Sequence, residues 1–326
     1  MACALTHPGG RLHFVADINV WLHISHAPLN PTPEQLVNFS VTKYCPWSGA
    51  YSEQNGKDAF SKCPIQIFRA SQHESDRQIG RLLDTVRSKY PNTMVLFSGD
   101  NGPEDPHIYF NSVGSAGAFR GRKRSLYEGG ISTPLIVWWP GMIAAGVVSE
   151  ADIASIDLFP TVMAITKLTP VSGVAQQLRG RDASKILLHQ DEKAAPPRTS
   201  PLVWDYRMSM PGKCYHQSPR LAILEQPMKL LMHPDRSRLE LYNVSADLYE
   251  QNDLSQQHPG LVEVMSEKLL AWVAAMPKTP PENVFLNPGC LAHRSFGGFG
   301  GDKEEQVDVD ARFREETAGL SPYELA

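Results

Sequence analysis

Two short segments hold the residues of this chain best suited to act on a charged oxygen ester. Ser98-Gly99-Asp100-Asn101-Gly102-Pro103 sets a carboxylate beside an amide oxygen, both hard donors suited to Ca2+ or Mg2+. Further along, Gly121-Arg122-Lys123-Arg124-Ser125-Leu126-Tyr127-Glu128-Gly129-Gly130 brackets a basic run between glycines. Lys123 stands at its centre. A lysine ammonium is a compact point charge that can meet a tetrahedral oxyanion from many angles and stabilise charge on a leaving oxygen. His26, in Leu22-His23-Ile24-Ser25-His26-Ala27-Pro28-Leu29, adds a group able to bind an oxyanion or protonate a leaving group. A divalent ion beside fixed positive charge suits the splitting of a sulfate or phosphate ester.

Each residue also has a plainer reading. Asp-Asn-Gly-Pro has the composition of a turn, a basic triplet is usually a solvated face, and a single histidine among 11 is more often structural. Two oxygen donors fall far short of the roughly six to eight that calcium takes. The adjacent glycines after Glu128 point to a demanding backbone, with positive φ or a close approach.

The elements that would position these groups alternate in period. Phe14 to Trp21 reads as a strand, and Thr32-Pro33-Glu34-Gln35 opens a short helix with Thr32 as N-cap. Residues 41–62 are polar and turn-rich. Ile65 to Tyr90 has the helical period, with an apolar stripe at Ile79, Leu82, Leu83, Val86 and Tyr90. Residues 93–97 and 134–139 are continuous apolar runs expected of strands buried on both faces, and Asp157 to Leu168 is a short helix. Asp100 thus follows a strand directly, where side chains enter the crevice of an open α/β sheet.

After about residue 195 the texture changes. Residues 221–224, 228–232 and 239–242 read as short strands and Pro259 to Met276 as a helix, together a small α+β subdomain. The expected organisation is 1–195, 196–279 and a disordered tail over 280–326.

Composition narrows the function. The 31 basic and 35 acidic residues give a net charge of −4, too mild to suggest nucleic-acid or membrane partners. No run is long and apolar enough to span a bilayer. Cys3, Cys45, Cys63, Cys214 and Cys290 form no C-x-x-C pair, so no zinc or redox motif is written here. The first residues lack the pattern of a signal peptide and read as a start inside a larger protein; localisation and oligomeric state stay open.

In combination these motifs are more specific. The segment from Trp21 to Leu36, the Ser98–Gly102 strand end, the basic glycine-bracketed run and Pro134 to Gly141 occur in an order that resembles the sulfatases of the alkaline-phosphatase-like superfamily. Ser155-Ile156-Asp157-Leu158-Phe159-Pro160-Thr161 is similar to that family's D-x-x-P-T helix start, and Glu240 through Leu254 to its closing signature. The resemblance covers roughly residues 12–277 and is nearest the arylsulfatase A and N-acetylgalactosamine-6-sulfatase branch.

It implies an α/β fold, a partial alkaline-phosphatase-like sheet with flanking helices, joined to the small subdomain. It implies Asp100 and Asn101 as calcium ligands, Lys123 as the lysine holding the sulfate ester, and His26 as the sulfate-side histidine. The formylglycine motif C-x-P-S-R or C-x-A-x-R is absent, and Ser132 stands where the family commonly has an arginine after Glu-Gly-Gly. The chain therefore reads as the C-terminal portion of a sulfatase, inactive alone, from a parent enzyme that is exported, periplasmic or lysosomal and acts on a sulfated small molecule or glycan. A phosphoester hydrolase of the same superfamily and a non-catalytic anion-binding protein are the alternatives.

Overall fold

The computed structural model describes residues 2–6, 12–16, 18–26, 29–39, 64–104, 113–169, 177–189, 196–206 and 216–276. The chain divides into two compact units, Met1–Gly102 with Ser132–Leu202, and Pro103–Ile131 with Val203–Ala326.

The first unit opens with an antiparallel hairpin, β1 (Ala2–Thr6) and β2 (Leu12–Ala16), in the register Ala2 to Ala16. The strand expected at Phe14 to Trp21 therefore lies earlier: Ile18 to Trp21 is irregular and exposed. The short helix α1 (Pro33–Val37) forms where its cap predicts. The Thr32 hydroxyl accepts from the Gln35 amide at 3.4 Å while the Gln35 side chain accepts from the Thr32 amide at 2.8 Å, a reciprocal capping box. Leu29 and Leu36 pack with Ile67 and Ala70 of α2 (Pro64–Lys89), and Gln66 Nε2 donates to the Leu36 carbonyl at 2.7 Å.

That core uses the first half of α2. The stripe expected from Ile79 to Tyr90 is not buried among the described residues, and Leu82 and Tyr90 are exposed. Its period marks a face without saying what covers it. The two apolar runs pair as one antiparallel sheet, β3 (Val95–Ser98) with β4 (Leu135–Trp138), register Val95 to Trp138. Burial on both faces does not hold, since Phe97 is 46% and Ile136 58% exposed. A continuous apolar run fixes strand character; which neighbours shield it depends on residues distant in sequence.

The helix α4 (Ser155–Thr166) starts two residues before its expected Asp157, and the four-residue helix α3 (Glu128–Ile131) and α5 (Ser184–His189) complete the helices up to residue 189 among the described residues. Asp157, fully buried, explains the D-x-x-P-T pattern. Its carboxylate accepts from the Ala154 amide at 2.9 Å, the Arg181 amide at 2.8 Å and the Arg198 guanidinium at 2.6 Å. The Thr161 hydroxyl accepts from the Ala183 amide at 2.9 Å, so the motif ties the helix to two later segments.

In the second unit β5 (Leu202–Asp205), β6 (Leu221–Glu225), β7 (Met228–Met232) and β8 (Glu240–Asn243) form one sheet in that order. The strands β6 to β8 are antiparallel. Alternation sends Leu221, Ile223, Leu230, Met232 and Leu241 to one face, where Val262, Met265 and Leu269 of α6 (Pro259–Ala275) cover them. The opposite face carries Lys229, Glu240 and Tyr242, and it is buried too. Residues 207–215 and 277–326, with the tail expected there, and the polar stretch 41–62 with Cys45 and Cys63 lie outside the described residues.

Candidate active site

The end of β3 carries Asp100 and Asn101 in the first unit. Ser98 Oγ donates to the Pro134 carbonyl at 2.9 Å and Thr133 Oγ1 to the Gly99 carbonyl at 3.1 Å, which pins the strand end to the start of β4. Beyond it the chain turns as its composition predicts. Asp100 Oδ1 accepts from the Asn101 amide at 2.9 Å, and Asn101 Nδ2 donates to the Gly102 carbonyl at 2.9 Å. Donating through its nitrogen orients the Asn101 amide and leaves the oxygen end for another partner. The carboxylate of Asp100 is exposed.

These two donors have the chemistry of calcium ligands and not the number. Among the described residues no group of three or more His, Cys, Asp or Glu could hold a metal ion. His26 also lies in the first unit, in an exposed turn where its amide donates to the His23 carbonyl at 2.8 Å and the two imidazoles meet edge to face at 5.7 Å.

Lys123 belongs to the second unit, and its loop is far from a solvated basic face. The Arg122 guanidinium donates twice to the Glu104 carbonyl, both at 3.2 Å, and also to the Gly114 carbonyl. Arg124 bonds the Glu104 carboxylate, and the Lys123 ammonium stands 3.6 Å from the other oxygen of that carboxylate. The Lys123 side chain is 19% exposed and that of Glu104 10%. The Lys123 amide donates to the Pro103 carbonyl at 2.9 Å.

The glycines serve as their placement suggests. Gly121 takes φ +86°, and a Cβ on Gly129 or Gly130 would strike backbone oxygens of Gly121 and Ser125 respectively. The reason for the double glycine is close approach, which lets the Gly129 amide reach the Arg120 carbonyl at 2.7 Å.

Beneath this loop lies a polar layer that the sequence reading missed. Arg120 stacks over the Tyr127 ring at 3.9 Å and donates to the Tyr242 hydroxyl at 2.8 Å. Both tyrosine hydroxyls donate to Glu240 Oε2, at 2.7 and 2.9 Å. Burial first, then the Glu240 carboxylate, pushes the Tyr127 hydroxyl far above its ordinary range, and Tyr242 shifts the same way for the same causes.

Beside it the fully buried Lys229 pairs with Glu128 at 2.7 Å and Glu250 at 2.8 Å. The second oxygen of Glu250 accepts from the Glu128 amide at 2.7 Å. Glu128 is thus gripped by backbone and side chain together. Burial raises the Glu250 carboxyl above its ordinary value, against the lowering pull of Lys229. One sequence signal pointed here: Lys229 interrupts the apolar strand Met228-Lys229-Leu230-Leu231-Met232.

The description Sulfatase matches residues 42–168, and N-sulphoglucosamine sulphohydrolase, C-terminal, matches residues 114–274. Human arylsulfatase A is 34% identical over 150 residues, covering 45% of this chain and 27% of that protein. Human N-acetylgalactosamine-6-sulfatase is 37% identical over 107 residues, covering 30% of this chain and 19% of that protein. The crystal structure of Ps i-CgsB, 19% identical, covers 76% of this chain and 48% of its own with a TM-score of 0.57, a likeness of fold. Both family matches are to sulfatases and together they span residues 42–274, over which the chain is similar to that family; its fold is α/β. Its alignments span about a quarter of arylsulfatase A and less of N-acetylgalactosamine-6-sulfatase. No helix among the described residues is long and apolar enough to cross a membrane.

Proposed function

We propose that the protein carrying this chain hydrolyses sulfate esters, with Lys123 and His26 acting on the ester and Asp100 and Asn101 as two ligands of a calcium ion. The observation that carries the reading is the form of the Lys123 loop. The two family matches overlap across it, and its lysine is held by its own amide, by ion pairing and by close-packed glycines. The carbonyl that receives the Lys123 amide belongs to Pro103, which follows Asp100-Asn101-Gly102 directly in the chain.

In this reading Lys123 binds an ester oxygen and stabilises the charge that develops as the bond to sulfur breaks. His26 gives a proton to the leaving alcohol oxygen. Calcium, when bound, supplies charge that polarises the sulfate oxygens, and the nucleophile is a formylglycine whose motif is not written in these 326 residues. An aryl or sugar sulfate as substrate is supported by the names of the relatives, and Ps i-CgsB itself has been solved in complex with k-i-k-neocarrahexaose.

The test is hydrolysis of an aryl sulfate and of the matching aryl phosphate by the protein that includes the formylglycine cysteine. Lys123→Ala should lower turnover of the sulfate about a hundredfold, the scale of losing one oxyanion donor. Phosphate turnover equal to or above that of sulfate would replace this reading with the phosphoester one.

A further inference from the structure

Glu104 follows Asp100-Asn101-Gly102-Pro103 directly, and it gathers the whole basic run. Its carbonyl takes Arg122, one carboxylate oxygen takes Arg124 and the other faces Lys123. These contacts differ in kind. Arg124 makes a charge-assisted hydrogen bond. The ammonium of Lys123, at 3.6 Å, is paired through charge and is too far for a hydrogen bond. The carboxylate is thus anchored from the arginine side and presents its second oxygen to the lysine.

Arg124 adopts φ +73°, the left-handed region that residues other than glycine seldom enter. From that turn its guanidinium reaches the Glu104 carboxylate.

We propose that Glu104 is a positioning residue for Lys123. Its Arg124-anchored carboxylate fixes the ammonium at one point of the loop, and an anionic group that enters displaces the carboxylate from the lysine while Arg124 retains it. The displacement rests on the reading of Lys123 as the sulfate-binding lysine; the pairing itself does not. The loose ionic contact is the one that opens, since a lysine has three donors on a rotatable stem and can exchange one oxygen for another.

The experiment uses the protein that carries this chain. A carbodiimide that joins carboxylate to amine without a spacer should link Glu104 to Lys123 in the wild-type protein, as read by peptide mass spectrometry, and inorganic sulfate should suppress the link. In Glu104→Gln the rate of Lys123 acylation by an activated ester, relative to the exposed Lys185, should rise about fivefold. Glu104→Asp should restore most of the wild-type rate, and tryptic cleavage at Arg122 and Arg124 should stay at its wild-type level.

Absence of the Glu104–Lys123 link in the wild-type chain would overturn the proposal whether or not the variant folds. So would an unchanged acylation rate in Glu104→Gln. If the link forms and the rate rises but sulfate affects neither, the pairing stands, the displacement is overturned, and Lys123 loses its place as the sulfate-binding residue.

Discussion

Replacing Lys229 by alanine should destabilise the second unit severely. The ammonium is fully buried between Glu128 at 2.7 Å and Glu250 at 2.8 Å, and the Glu250 side chain has no exposed surface. Removing the cation leaves the buried Glu250 carboxylate facing that of Glu128 with no charge to compensate it. Breaking a buried pair in this way costs about 3–5 kcal/mol, because the remaining charge has lost its compensation. Against the roughly 5–15 kcal/mol by which a folded domain is stable, that is a large share. Three neutral replacements together, Lys229→Met with Glu128→Gln and Glu250→Gln, should cost far less, since buried ion pairs exchange for neutral groups of similar volume at little net loss.

The charge argument also fixes a pH dependence. In the wild type burial holds the Glu250 carboxyl above its ordinary 4.5, and the Lys229 charge pulls it back down. A carboxyl raised in the folded state binds its proton more tightly there than in the unfolded chain. The stability it contributes is therefore present below the unfolded value and lost as pH rises through the folded one. Without Lys229 the carboxyl rises further, so the deficit of Lys229→Ala should be greatest at neutral pH and shrink as pH falls toward 4.5. Urea denaturation of both proteins followed by circular dichroism at several pH values measures it. A deficit under about 1 kcal/mol, or one that does not change with pH, would refute the charge argument.

Other expectations follow from single contacts. Gly130→Ala should cost about 3 kcal/mol or more, because its Cβ meets backbone of Ser125 and Arg122 that cannot swing aside; the urea midpoint reads it. Arg122→Ala should lower stability by about 1.5–3 kcal/mol through its lost carbonyl partners, while reducing aryl sulfate turnover far less than Lys123→Ala does; equal losses of turnover would contradict the separate roles. Asp157→Ala should cost about 3–5 kcal/mol by leaving Arg198 without its buried partner, and Asp157→Asn less, as seen in thermal unfolding.

How much of this was legible depended on the range of the interaction involved. Local patterns carried well: the strands β6 and β7, the Thr32 cap and the helix from Pro259 were set by period, capping and turn chemistry within a few residues. Burial did not carry. The stripe from Ile79 to Tyr90 and the run around Phe97 were read as covered because they are apolar, yet coverage depends on distant chain. The polar layer was the least visible part, since Glu128 meets Lys229 across 101 positions and Tyr127 meets Glu240 across 113. Its one local trace was a lysine inside an apolar strand. For the candidate site the residue types and their order were legible, while the partners of Lys123 were not.

Those hidden partners give the basic run its physical sense. A lysine on a mobile loop must be ordered and desolvated as it meets an oxyanion, and that cost falls on the reaction. On the proposed role of Lys123, that cost is met during folding. Gly121, Gly129 and Gly130 close the backbone, the Lys229 triad grips Glu128, and Arg120 with two tyrosines and Glu240 fills the space beneath. A donor held in advance stabilises developing charge without rearranging at the moment of reaction. The same argument explains why the layer is ionic where an apolar core would be as stable. An apolar layer could fill the volume, but it could not grip Glu128 through both its amide and its carboxylate and so fix the segment that closes the lysine loop.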